Sequence, residues 1–146
     1  RPIRLIVGCP AGGPTDFAAR LLQEPLQQLW GQPIVIENRA GATQNIAAEL
    51  VARAAPDGYT LFLSTSAHTT NPAVFTRLSW DPIRDFTPIV IIYSAPTVLF
   101  TGRNQSFRTV RDVVEAAKKN PGMAASTSGI ATSGHFATED FMRVAG

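Results

Sequence analysis

Apolar and polar positions along this chain switch repeatedly between a continuous pattern and a helical one. Residues 3–7, IRLIV, are apolar except at Arg4, as expected of a strand covered on both faces. Phe17, Leu21, Leu22, Leu26 and Leu29 follow at helical spacing, and Gly31 supplies a C-terminal stop. Pro25 lies inside that helix, where the missing backbone donor predicts a bend. Residues 33–38, PIVIEN, read as a second strand and 39–43 as a turn. Ile46, Ala47, Leu50, Val51 and Ala54 mark a second helix, closed by Pro56-Asp57-Gly58 before a third strand at 59–64, YTLFLS. Strand–helix alternation with short connections is the signature of an open, mostly parallel α/β sheet flanked by helices.

The pattern then loosens. Asn71-Pro72 can open a short helix, Asp81-Pro82 marks a turn, and residues 86–93, FTPIVIIY, read as another apolar strand that Pro96 breaks before 97–101. Residues 102–106, GRNQS, are the most linker-like stretch. Val110, Val113, Val114 and Ala117 then make a helix stopped at Asn120-Pro121-Gly122. A short strand is expected at 123–127, after which a small-residue loop at 128–135, SGIATSGH, opens a last helix carrying Phe136, Phe141 and Val144. The expected organisation is a first lobe at 1–101, a linker at 102–106, and the opening strand–helix units of a second lobe at 107–146.

Composition narrows the function classes. Only 16% of the 146 residues are charged, against ~25% in typical soluble domains, so Ser, Thr, Asn and Gln carry the surface. The net charge is +2 and Lys118-Lys119 is the only adjacent basic pair, which argues against nucleic acid as a partner. A single cysteine, Cys9, excludes an intramolecular disulfide and a multi-thiolate metal site. Two histidines without clustered carboxylates argue against any metal. Asp81 and Asp85 read as turn and capping residues. No apolar run approaches the ~20 residues that span a bilayer. The chain shows no signal peptide and begins at Arg1-Pro2 within its first strand, as a mature or trimmed chain would.

The chemistry sits in the loops. Residues 8–16, GCPAGGPTD, join the first strand to the first helix. Unpaired N–H groups at a helix start, reached through a glycine-rich turn, suit an anion. Gly12 and Gly13 permit the turn, Pro14 fits a first helical position, Thr15 offers a hydroxyl, and Asp16 can accept from first-turn amides or meet a ligand amine or a bridging water. Nucleotide motifs fail here, because no lysine follows Gly13 and the glycine spacing does not match the dinucleotide fingerprint, so no cofactor is expected. Cys9 with His68 or His135 is conceivable as a thiolate–imidazole pair, but a bystander thiol fits its place at a strand end better. Residues 64–68, STSAH, share the carboxyl edge of the sheet with GCPAGGPTD, the edge where open α/β sheets collect ligands. The loop at 128–135 occupies the same kind of edge in the second half.

In order, the segments RLIVGCPAGGPTDFAARLL, PIVIENRAGATQNIAAELVARAAPDGYTLFLSTSAHTTNPAVF, WDPIRDFTPI and NPGMAASTSGIATSGHFATEDF resemble the Bug family, the periplasmic receptors of tripartite tricarboxylate transporters. The resemblance covers essentially the whole chain. It implies a periplasmic-binding-protein-like (Venus flytrap) α/β fold and no catalysis. The implied activity is that of a receptor binding a small carboxylate or amino-acid-like ligand between two lobes and delivering it to membrane transporter subunits in the periplasm. By resemblance, Ala11, Gly12, Gly13, Thr15 and Asp16 form the first ligand loop, Thr65, Ser66 and Ala67 line the same lobe, and Thr132, Ser133 and His135 form the second loop. Two departures stand out. Gly8-Cys9 replaces what is usually Pro followed by an aromatic, and Ala42-Thr43-Gln44-Asn45 replaces a more glycine-rich turn, bringing a long amide near the cleft. Family members run to roughly twice this length, so the second lobe is expected to be incomplete and its segment to self-associate, swap or leave a sheet edge exposed. The rival readings are a small Cys- or Ser-dependent hydrolase and a fragment that binds nothing.

Overall fold

The computed structural model describes residues 1–146, which fall into two compact units, Arg1–Tyr93 and Ser94–Gly146. The division comes ahead of the linker-like stretch at 102–106.

The first unit is built on three parallel strands, β1 (Ile3–Val7), β2 (Ile34–Asn38) and β3 (Thr60–Leu63), in the order β2-β1-β3. Leu5 lies opposite Ile36 on one side and Leu61 on the other. The central strand is the most apolar because it is covered on both faces. Ile3, Leu5 and Val7 pack with Ala19, Ile34 and Leu63, while Ile6, one residue out of phase, is also fully buried. Each such side chain contributes about 1.5–3 kcal/mol by leaving water. Arg4, the exception in that run, points its guanidinium at Glu37 through two hydrogen bonds of 2.7 and 3.1 Å. Arg39 adds a third at 2.9 Å. Those two arginines hold the Glu37 carboxyl down to about 2, Arg4 contributing most.

Helix α1 (Pro14–Trp30) carries the chain from β1 to β2. A 3₁₀ turn (Ala42–Gln44) and α2 (Asn45–Ala52) carry it back past β1 to β3. Because the second crossing runs opposite to the first, right-handed connections put α1 and α2 on opposite faces of the sheet. Pro14 opens α1 at a position whose N–H would be unpaired anyway. Gly31 closes it in the left-handed region, φ 62°, with its N–H on the Gln27 carbonyl at 2.9 Å. The helix runs without interruption through Pro25.

Helix α3 (Ala67–Val74) corrects the expected start at Asn71-Pro72. Its first turn is closed earlier, by the His68, Thr69 and Thr70 amides on the Thr65 and Ser66 carbonyls. Pro72 therefore sits inside the helix. Asn71 is fully buried, its side chain donating to the Thr43 carbonyl at 2.7 Å and to Asn45 Oδ1 at 3.0 Å. Beyond it, Asp81 Oδ1 accepts from the Ile83 and Arg84 amides and Asp85 Oδ2 from the Asp81 amide, the turn-forming roles expected of both.

The second unit contains α4 (Val110–Lys119) and α5 (Ser133–Ala145). Thr109 and Asp112 close a reciprocal capping box at the start of α4. The strands expected at 86–93, 97–101 and 123–127 do not form. These segments are apolar enough for a strand, but a strand exists only where a neighbouring edge takes up its backbone groups, and none does. Ile89, Val90 and Ile91 are accordingly 77%, 73% and 87% exposed. With no strand in the second unit, the exposed sheet edge expected there is absent as well. No helix is long and apolar enough to cross a membrane.

Candidate functional site

Three loops leave the carboxyl ends of β1, β2 and β3 on the same edge of the sheet, and the strand order reverses between β1 and β3, the point where a crevice opens in sheets of this kind. Cross-loop hydrogen bonds tie them together. The Arg39 amide donates to the Val7 carbonyl at 2.8 Å, the Gly8 amide to Leu63 at 3.3 Å, and the Asn38 side chain to Cys9 at 3.1 Å.

In the first loop, Gly12 takes φ 81°, open to glycine at little cost. Gly13 is the N-cap of α1 and supplies no side-chain cap. Because Pro14 has no N–H and the Phe17 amide is the first to bond back, onto Gly13 at 2.9 Å, the Thr15 and Asp16 amides find no acceptor in the chain. Ala11 and Gly12 are exposed beside this helix start, whereas Thr15 and Asp16 are buried. Thr15 Oγ1 lies 3.4 Å from the Tyr93 hydroxyl.

Asp16 folds back on its own loop. Its Oδ2 accepts from the Gly12 amide at 2.8 Å and from Arg20 Nε at 2.9 Å. Oδ1 is buried without a hydrogen-bond partner, with Asn38 close by. Arg20 first, then Gly12, lower the Asp16 carboxyl to about 2. The side chain is thus an ionised brace for the loop, its charge offset by Arg20.

The loop after β2 is strained. Ala42, Thr43 and Gln44 have φ of 45°, 51° and 70° in succession, a left-handed run that costs on the order of 1–3 kcal/mol per residue. It persists because its surroundings hold it. Asn71 grips the Thr43 carbonyl, and Trp80 Nε1 and Asn71 share Asn45 Oδ1. Gln44 is buried and reaches across to the third loop, with Nε2 2.5 Å from Thr65 Oγ1 and Oε1 accepting from the Thr65 amide at 3.1 Å. Ser66 is exposed at the start of α3, next to the buried Ala67. Asn38 and Gln44 were not among the ligand residues expected from the sequence; the only signal was the long amide at 44 in place of a glycine.

In the second unit, Thr132 caps α5, its Oγ1 accepting from the His135 amide at 3.3 Å and donating to the Gly129 carbonyl at 2.7 Å. His135 Nδ1 accepts from the Ala131 amide at 3.3 Å, which leaves the ring proton on Nε2, 3.6 Å from Glu139. Ser133 is exposed at the first helical position.

Within the first unit, the groups a thiol or serine hydrolase would need do not meet. Cys9 Sγ meets Gln44 Nε2 at 3.5 Å. His68 stacks on Trp80 with ring centroids 5.0 Å apart, and its Nε2 faces the Pro82 carbonyl. His68 is thus not placed on Cys9 or Ser66. No group of three or more His, Cys, Asp or Glu side chains could hold a metal ion.

Comparison with known proteins agrees with this layout. BugT of Bordetella pertussis is 34% identical over 144 residues, 97% of this chain and 44% of its own length. A solved R. palustris protein with adipate superposes with a TM-score of 0.90 at 36% identity, over 97% of this chain and 48% of that one. The periplasmic binding protein BugD gives 0.80 at 26% identity, over 99% of this chain and 49% of its own. The chain thus spans just under half the length of these relatives. The profile of the tripartite tricarboxylate transporter family receptor, TctC, matches residues 18–146, and with the shared α/β fold of periplasmic binding proteins this means that the chain belongs to that receptor family.

Proposed function

We propose that this chain carries ligand-holding loops of an extracytoplasmic solute receptor that binds a small carboxylate and passes it to a membrane transporter. The uncapped start of α1 is the main support. Two backbone amides, the positive end of a 17-residue helix and an exposed glycine turn converge where the sheet order reverses, an arrangement whose chemistry suits an anion. Asp16 does not oppose an incoming anion strongly, because Arg20 offsets its charge. Ala11, Gly12, Gly13 and Thr15 are assigned to the carboxylate, Asp16 to holding the loop, and Thr65, Ser66 and Ala67 to the neighbouring wall. Thr132, Ser133 and His135, at the start of α5, are the second unit's candidate ligand residues by family resemblance. The adipate bound by the R. palustris relative suggests a dicarboxylate as the first probe. A periplasmic location, transporter subunits as partners and self-association through exposed apolar segments belong to the same reading.

Titration calorimetry against mono-, di- and tricarboxylates, adipate among them, is expected to give saturable binding with at least one acid. Cys9→Ala should leave that affinity within about twofold, because Cys9 lies outside the assigned contacts. Absence of binding across the panel, or a hydrolytic turnover that vanishes in Cys9→Ala, would overturn the receptor reading.

A further inference from the structure

Gly8 and Gln44 occupy one another's space. A Cβ at Gly8 would lie 2.9 Å from Gln44 Cβ, Cγ and Oε1, closer than real Cβ contacts come. Only glycine at the end of β1 admits the long amide that the left-handed turn at Ala42–Gln44 sends across the strand ends.

The orientation of that amide is settled by its partners. Oε1 accepts from the Thr65 backbone N–H, a group that can only donate, so Nε2 faces the Thr65 hydroxyl. Thr65 Oγ1 also accepts from the Ala67 amide at 3.3 Å. A hydroxyl has two acceptor lone pairs and one proton. Both lone pairs are engaged, so the proton must point elsewhere, and no acceptor in the chain takes it. Thr65 sits half-buried on the ligand edge of the sheet.

We propose that Gln44 is a positioning residue that fixes the Thr65 hydroxyl as a one-way hydrogen-bond donor toward a bound carboxylate oxygen, with Gly8 as the residue that makes room for it. This rests on the receptor reading above. Gln44 does not touch the carboxylate itself, and Thr65 contributes a donor with a fixed direction instead of a freely turning hydroxyl.

The test is a double-mutant cycle in the whole chain, with adipate as the probe and calorimetric affinity as the readout. Gln44→Ala and Thr65→Val should each weaken adipate binding about tenfold, the loss expected for one hydrogen bond to a charged group. The double variant should be no weaker than the weaker single one, because the two changes remove the same donor. Gly8→Ala should lower both melting temperature and affinity. Adding Gln44→Gly, which removes all three of the atoms that the new Cβ meets, should restore the melting temperature without restoring the affinity. If wild type binds adipate and Gln44→Ala binds it equally, or if the two losses simply add, this inference fails and the receptor reading stands. If wild type does not bind adipate, both fall for dicarboxylates.

Discussion

Asp16 has both its charge and its geometry tied to one loop, and this sets the acid stability of the first unit. In the folded chain Arg20 and the Gly12 amide hold its carboxyl to about 2, and Arg4 with Arg39 do the same for Glu37. The unfolded chain titrates near the usual carboxylate value of ~4. A lowered folded value means that the stabilisation is fully present above ~4 and is lost as the pH falls toward 2. The urea midpoint should therefore stay level from neutral pH down to about 5 and then drop steeply between about 4 and 2. Asp16→Asn should lower the neutral-pH midpoint and flatten part of that drop; equal acid slopes in the two proteins would contradict the assignment. Much of this residue's environment was legible in advance, since Asp16 is a first-turn acid in a glycine-rich loop. Its pairing with Arg20 follows from helical spacing. The buried Oδ1 does not, because burial depends on what the rest of the fold lays over it.

At the scale of elements, α1 matters through the end it leaves open. Gly13 has φ −80° and ψ 171°, a backbone any residue adopts, so glycine is not required there by conformation. An aspartate at that position would take up the first-turn amides as an ordinary N-cap. Its Cβ would meet the Pro10 carbonyl at 3.3 Å, a contact relieved by a few tenths of an ångström. Gly13→Asp is thus expected to keep or raise the melting temperature while weakening carboxylate binding about tenfold or more, its own carboxylate filling the site. Undiminished affinity would show that the α1 start is not where the ligand sits. The same helix shows why some elements were readable and others not. Pro14 and Gly31 punctuate α1 through local conformational preference alone. Helix α3 begins ahead of its proline because the Thr65 and Ser66 carbonyls close an earlier turn. The apolar segment at 86–93 has the composition of a strand but no neighbouring edge.

Across the molecule, the two units differ in how they use apolar side chains. In the first, both faces of β1 are covered and the core closes around Leu5, Ile6 and Val7. In the second, neither α4 nor α5 contains a buried residue. Large apolar side chains remain exposed at Leu99 and Phe100 in the second unit and at Ile89, Val90 and Ile91 near the end of the first, where an apolar groove along α1 is lined by Phe17, Leu21, Leu22 and Tyr93. Exposed apolar side chains in this number favour association. Light scattering should show a mean mass rising with concentration, and the pair Ile89→Lys and Ile91→Lys should reduce that rise. A mass that stays monomeric at every concentration would count against it.

The sequence alone determined the parallel strand–helix order of the first three strands and the helix ends marked by Pro14, Gly31 and Asn120-Pro121-Gly122, because these depend on local conformational preference and short-range pattern; the family was legible through the resemblance of its motifs, which implied the candidate carboxylate loops. Tertiary structure decided which apolar runs became strands, since a strand needs a partner edge that no local pattern supplies. It also decided that the departures at Gly8 and Gln44 belong together. They are far apart in the sequence and meet only because β1, the turn after β2 and the loop after β3 end on one edge of the sheet, where a missing Cβ in one loop makes room for an amide from another.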